Sequence, residues 1–181
     1  MKRWKQISEH VVLSDQWLTL KAKTYCLPSG AQIEPYYVIE DKEWVHIVAV
    51  ADDGCVVTVR QYRPAANAIC IELPAGVVET GEDIGVAARR ELREETGYTA
   101  KSMTLITSLW ANPARQTNRV HVFLAESLKK AGALQLDVAE DIECGRASFD
   151  DLFSMAVAGS FSQSMHVASL AIVQAYLAIR P

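Results

Sequence analysis

Residues 76–98 read GVVETGEDIGVAARRELREETGY, and they constrain the fold more than any other stretch of the chain. On a helix each residue advances about 100°, so Glu91, Glu94 and Glu95 would share roughly a third of the circumference. Like charges three or four positions apart cost about 0.2–0.5 kcal/mol per pair, so a cation is expected to offset them. Arg90 precedes Glu94 by one helical turn and can pin its carboxylate. Val86, Ala87, Ala88 and Leu92 supply apolar positions. Carboxylate oxygens gathered near a glycine-containing loop suit a hard divalent ion such as Mg²⁺ or Mn²⁺. Thr80 is the expected N-cap, with Glu82 and Asp83 in the first turn. Gly97 is placed to end the helix.

Strand patterns surround this helix. HVVLSD, WLTLKAKTYCL and IEPYYVIE alternate or run apolar, with a turn at Pro28-Ser29-Gly30. WVHIVAVA and CVVTVRQYR flank Asp53-Gly54, a strong hairpin signal. ICIELPAG precedes the helix, and MTLITSLW and RVHVFLAESL follow it as strands. ASFDDLFSMAVAG and SQSMHVASLAIVQAYLAI read as two closing helices. The order predicts an α/β (α+β) chain, with helices layered on a mixed sheet and an N-terminal antiparallel β meander. The expected division is residues 1–42 for the meander and 43–181 for the main domain.

At 181 residues with a net charge of −4, the chain fits one main domain with a small appended element. No basic block favours nucleic acid or an anionic membrane, and no apolar run reaches the length that spans a bilayer. Cys26, Cys55, Cys70 and Cys144 show no metal-type spacing. They are expected to be buried free thiols, which suits a reducing, cytoplasmic compartment. MKRWKQISEHVV lacks the apolar stretch of a secretion signal. His10, His46, His121 and His166 show no paired spacing and are expected to be structural or surface residues.

Gly76, Glu82, Arg90-Glu91, Glu94-Glu95 and Gly97 fall at the spacing of the Nudix box, every fixed position being matched. The chain therefore resembles the Nudix hydrolase superfamily. The resemblance implies the Nudix fold, an α/β/α sandwich, and a hydrolase of nucleoside diphosphates linked to another moiety. It implies two or three Mg²⁺ or Mn²⁺ ions held by Glu91, Glu94, Glu95 and the carbonyl of Ala75. Glu82 would brace the loop and Arg90 would orient Glu94. Metals near a pyrophosphate neutralise it, orient it and activate water, so the chemistry needs those carboxylates.

Flanking residues narrow the branch. VRQYRP, ELPAG, a proline sixteen residues after Gly97 (Pro113) and AEDIECGRASFDDLFSMAVAGSF resemble ADP-ribose and GDP-mannose pyrophosphatases. Ala114 and Asn118-Arg119 depart from that branch, which commonly has Gly and Glu there, so other sugar nucleotides stay within the implied range. Glu140 is the implied acidic residue outside the box, as a metal ligand or general base, with Asp141 and Glu143 as alternatives. Arg63 is the implied phosphate or sugar contact, its planar fork suiting bidentate binding. Gly76, Val77, Trp17, Tyr36, Tyr37, Arg115 and Asn118 complete the expected substrate contacts. Tyr36 and Tyr37 leave a strand on opposite faces, so only one is expected to face a ligand. The resemblance also implies a homodimer built through the N-terminal segment. A nucleoside triphosphate or dinucleoside polyphosphate hydrolase, and a nucleotide-sensing domain without turnover, are the competing readings.

Overall fold

The computed structural model of the chain describes residues 1–133 and 141–180. The chain divides into two compact units, residues 1–43 with 110–119, and residues 44–109 with 120–181.

In the first unit β1 (Lys5–Ser14), β2 (Thr19–Cys26) and β3 (Gln32–Glu40) form an antiparallel sheet in that order. Lys21 and Lys23 bridge Glu9 and Glu40 across it. Trp4, Tyr25 and Tyr36 pack edge to face, with centroids 5.5–6.2 Å apart. Segment 110–119 runs beside β3. It is held by bonds from Ile39 N to the Arg115 carbonyl, 2.7 Å, and from the Tyr36 hydroxyl to the Ala114 carbonyl, 2.6 Å. Every residue of β1 is exposed, including Ile7, Val11, Val12 and Leu13.

The second unit has two sheets. One has the order β10-β5-β6, from β5 (Val56–Arg63), β6 (Ala68–Glu72) and β10 (Ile142–Ala147). The other has the order β7-β4-β9-β8, from β4 (Trp44–Ala49), β7 (Ala75–Val77), β8 (Tyr98–Trp110) and β9 (Arg119–Lys130). It is mixed, since β4 runs antiparallel to β7 and parallel to β9. The helices are α1 (Ile84–Thr96), α2 (Phe149–Val157) and α3 (Ser164–Ile179).

Strand β4 explains the layering. It is buried on both faces, as a near-continuous apolar run requires. Val45, Ile47 and Ala49 pack with Ala87, Ala88 and Leu92 of α1, Val57 of β5 and Phe123 and Ala125 of β9. His46, between them in sequence, points the other way and meets α3 through His166 and Ser169. The period of two thus puts α1 on one face and α3 on the other. α3 buries His166, Ser169, Leu170 and Val173, one helical stripe. Fully burying Leu92 contributes about 1.5–3 kcal/mol. The expectation of helices layered on a mixed sheet holds.

Three local expectations change. Helix α1 is capped by Asp83, not Thr80: its Oδ1 accepts from Gly85 N and Val86 N at 2.9 and 3.2 Å. Residues 79–82 instead close a turn, Glu82 N to the Glu79 carbonyl and Glu79 N to Glu82 Oε2. Val86 faces solvent rather than core. The four cysteines are free but only half-buried.

Candidate active site

The buried stripe of α1 is Ala87, Ala88, Glu91, Leu92, Glu95 and Thr96. Glu91 and Glu95 therefore share the core-facing stripe with leucine and alanine, at 7% and 3% exposure. Glu94 remains half-exposed. Burying a carboxylate costs several kcal/mol unless charge and hydrogen bonds compensate it, so the partners matter.

Arg90 supplies most of them. Its Nε and Nη2 donate to the two oxygens of Glu82 at 3.0 Å each. Its Nη1 donates to Glu91 Oε1 at 2.6 Å and to Glu94 Oε2 at 3.0 Å. Nη2 also reaches the Val77 carbonyl at 2.9 Å. One guanidinium is shared among three carboxylates, a formal charge of −2 for the group. Hydrogen bonding to Arg90 is the first cause holding the Glu82 carboxyl below its usual range. Glu82 thus braces the loop, and Val77 is an anchor for the arginine fork.

Glu95 closes the other end. Its Oε2 accepts from Ala75 N at 2.9 Å, fixing the loop before the box against α1. Gly76 follows, and a Cβ on it would fall on the Glu91 carboxylate, inside van der Waals contact. Glycine at 76 therefore makes room for Glu91. Gly97 ends α1 with φ 68°, its N–H on the Arg93 carbonyl at 2.9 Å, and an added Cβ would meet the Gly132 carbonyl. The left-handed conformation and the close approach both require glycine.

The donors at this end of α1 are all oxygen, negative in sum and partly desolvated. That chemistry fits a hard divalent cation. Among the described residues no three carboxylate, imidazole or thiol side chains already converge on one point as a metal-binding group. Here Arg90 draws one oxygen each from Glu91 and Glu94 toward itself.

Arg63 lies at the end of β5. Its Nε and Nη2 clasp Glu72 at 3.0 and 2.7 Å. Glu72 is 1% exposed, while the arginine side chain is about half-exposed. A planar fork fixed on its inner edge by a buried carboxylate can present its outer edge to an anion.

The remaining expected contacts lie in the first unit. Trp17 is 76% exposed, in a turn where its N–H bonds Asp15 Oδ1 at 2.8 Å. Tyr36 packs in the aromatic trio, and Tyr37 is exposed. Arg115 is exposed, its backbone N–H bonded to the Asn112 carbonyl. Asn118 is buried, with Nδ2 on the Lys42 carbonyl at 3.0 Å. Glu140 lies outside the described residues. Of its alternatives, Glu143 pairs with Arg60 at 3.2 Å on the sheet surface.

Sequence reasoning missed one cluster. His46 and His166 stack at 4.1 Å between centroids, and His166 Nδ1 accepts from Leu73 N at 2.9 Å. Their separation in sequence gave no spacing signal.

Residues 42–163 match the NUDIX domain family. The chain belongs to this family and is a Nudix hydrolase. It is 34% identical to the ADP-ribose pyrophosphatase of Bacillus subtilis (strain 168), over 83% of this chain and 82% of that protein. It is 31% identical to the methanol dehydrogenase activator of Bacillus methanolicus, over 81% and 80%. With the ADP-ribose pyrophosphatase of Mycobacterium tuberculosis it shares 29% identity over 93% and 82%. The crystal structure of an ADP compounds hydrolase superposes with a TM-score of 0.87 at 21% identity, covering 98% of this chain and 95% of that one, which shows the fold. The chain thus falls in the ADP-ribose pyrophosphatase branch. Nudix hydrolases generally use divalent metal ions.

Proposed function

We propose that the chain hydrolyses the pyrophosphate of a nucleoside diphosphate sugar, an ADP-sugar such as ADP-ribose first and GDP-mannose second. Water adds at phosphorus and a bridging P–O bond breaks, releasing a nucleoside monophosphate and a sugar phosphate. The observation that carries this reading is the Arg90 cluster, with Glu82, Glu91 and Glu94 on one guanidinium beside Glu95 and the Ala75 amide.

Glu91, Glu94, Glu95 and the Ala75 carbonyl are the groups we assign to Mg²⁺ or Mn²⁺, two or three ions in number. A bound ion supplies charge neutralisation on the pyrophosphate and lowers the pKa of water. The chain's own side chains do the positioning. Arg90 sets the separation of Glu91 from Glu94, and Glu95 fixes the loop that opens the box. Arg63, steadied by Glu72, offers its outer edge to a phosphate. We assign Gly76, with no side chain, to the close approach of that phosphate beside Val77. Exposed Trp17 and Tyr37 have ring faces of the kind that stack on a nucleobase. We assign Arg115 and Asn118 to the sugar or a phosphate, and Glu140 to proton removal or a further ion. The proposed organisation remains residues 1–42 and 43–181. The exposed apolar side chains of β1 support a homodimer. The compartment we propose is the cytoplasm; no helix among the described residues is long and apolar enough to cross a membrane.

The test is product analysis by chromatography with ADP-ribose, GDP-mannose, UDP-glucose and dGTP, each with Mg²⁺ and with EDTA. The expected result is Mg²⁺-dependent AMP from ADP-ribose, slower GMP from GDP-mannose and intact dGTP. Cleavage of dGTP alone would move the protein to triphosphates. Binding of all four without turnover would make it a sensor.

A further inference from the structure

Residues 73–75 lead into the box, and each is fixed by one backbone bond to a different element. Leu73 N donates to His166 Nδ1 of α3 at 2.9 Å. The Pro74 carbonyl accepts from Ile47 N of β4 at 2.9 Å. Ala75 N donates to Glu95 Oε2 of α1 at 2.9 Å. The first of these anchors comes from α3, a helix 93 residues away in sequence.

The chemistry of that anchor is fixed by its neighbours. Since Leu73 N–H can only donate, His166 Nδ1 must carry the lone pair, which puts any single ring proton on Nε2. Nε2 lies 3.8 Å from Glu72 Oε2, beyond a hydrogen bond but close enough for electrostatic attraction. His46, stacked on the same ring, is held by Ser169. That hydroxyl donates to the Met165 carbonyl at 2.8 Å, so His46 Nδ1 donates to Ser169 Oγ at 3.0 Å. Both rings are 2% exposed. Burial first, then the Arg63 charge, pushes His166 down to about 3. Burial and then His166 hold His46 well below the ordinary histidine range. Burial thus favours the neutral ring, whose Nδ1 lone pair accepts from Leu73 N.

We propose that His166 is a positioning residue of the hydrolase. From α3 it fixes the Leu73 amide, and through the Leu73–Ala75 segment it sets the height of Ala75 against Glu95. The role rests on the metal-dependent hydrolase reading. Its logic is that of residues which orient metal ligands without touching the metal, whose loss typically costs about 10–100-fold in metal affinity or activity.

The test uses the full chain and two variants. His166→Phe keeps a flat buried ring and removes the acceptor; His166→Asn keeps a side-chain oxygen that can accept from Leu73. Three quantities are read: exchange of the Leu73 amide proton in metal-free protein, Mn²⁺ binding by electron paramagnetic resonance, and kcat and KM with ADP-ribose. His166→Phe is expected to speed Leu73 exchange about tenfold or more, and to weaken Mn²⁺ binding and lower kcat about 10–100-fold, with KM little changed. His166→Asn is expected to restore all three to within a few-fold of wild type. The proposal is overturned if both variants lower the melting temperature alike while Mn²⁺ affinity and kcat stay at wild-type values, since the ring would then be packing alone. Should His166→Phe not fold, His166→Gln moves the acceptor off Leu73 and takes its place. If the wild-type chain cleaves no sugar nucleotide, the substrate assignment fails, and amide exchange and Mn²⁺ binding still decide the role of His166.

Discussion

The segment before the box is flanked by two polar clusters built on opposite plans. Around Arg90 the partners lie 1, 4, 8 and 13 residues away in sequence. Around the stacked histidines they lie 93 and 123 residues away. The first cluster is charged, half-open to water and carried by one helix and its preceding loop. The second is neutral at its rings, closed to water, and exists only when α3 docks on β4. A negative cluster that gathers cations needs access to solvent and a shared counter-charge. A cluster that only fixes backbone is better neutral, because a buried charge there would need its own compensation. In the proposed reading the first group carries the reaction and the second holds the geometry it depends on.

The largest expected effect tests the charged cluster. Glu95→Gln keeps an oxygen for the Ala75 amide and removes the charge. It should lower kcat about 10²–10³-fold, the scale of removing one electrostatic group from a reaction centre, with circular dichroism unchanged. Activity within a few-fold of wild type would move the reaction centre away from α1. Arg90→Lys comes next. A lysine cannot span Glu82, Glu91 and Glu94 in a fork, so kcat should fall about 10–100-fold. The same change at Arg63 should act mainly on KM, and equal effects on both parameters at the two sites would erase the distinction drawn between them.

Gly76→Ala perturbs the charged cluster from its loop side. The new methyl falls on the Glu91 carboxylate, which Arg90 restrains. A stability cost of about 1–3 kcal/mol is expected from overpacking, read by urea unfolding, together with weaker Mn²⁺ binding in titration. Unchanged Mn²⁺ affinity would mean that Glu91 moves aside at no cost to the site.

The smallest effect is the pH dependence of stability in metal-free protein. Both buried histidines have folded pKa values below the unfolded value of about 6.5. The unfolded chain therefore binds protons that the folded chain refuses. Their contribution is complete above about pH 6.5 and is lost as pH falls from there toward the folded value of about 3 for His166. Each should add a slope of about 1.4 kcal/mol per pH unit below pH 6. His166→Phe should remove one such slope in urea unfolding between pH 6 and 5. Glu82, held low by Arg90, contributes stability that persists above its unfolded value near 4.5 and is lost only at more acidic pH. The histidine cluster should therefore dominate that window, and an unchanged slope in His166→Phe would break the assignment.

The two clusters differed in how far they could be read in advance. The shared edge of Glu91, Glu94 and Glu95, the contact of Arg90 with Glu94 and the helix stop at Gly97 were legible, because each depends on neighbours within a few turns. Asp83 displaced Thr80 as the cap because residues 79–82 close a turn that delivers Glu82 to Arg90. That turn is local, yet it competes with the capping signal, and pattern alone does not rank the two. The burial of Glu91 and Glu95 beside Leu92 was not legible either. Which edge of a charged helix meets the core depends on the sheet it lands on. His46 sat in a strand whose apolar neighbours fixed its alternation, but what lay on its far face was not written nearby.

Local sequence sets the carboxylate edge of α1, the glycines that frame it and the alternating faces of β4, since helical and extended periodicities are fixed by backbone geometry. Only the docking of α3 brings His46 to Ser169 and His166 to the Leu73 amide. These bonds form between residues on separate elements. Their partners are chosen by how helices dock on sheets, a property of the whole packed core that no local spacing encodes.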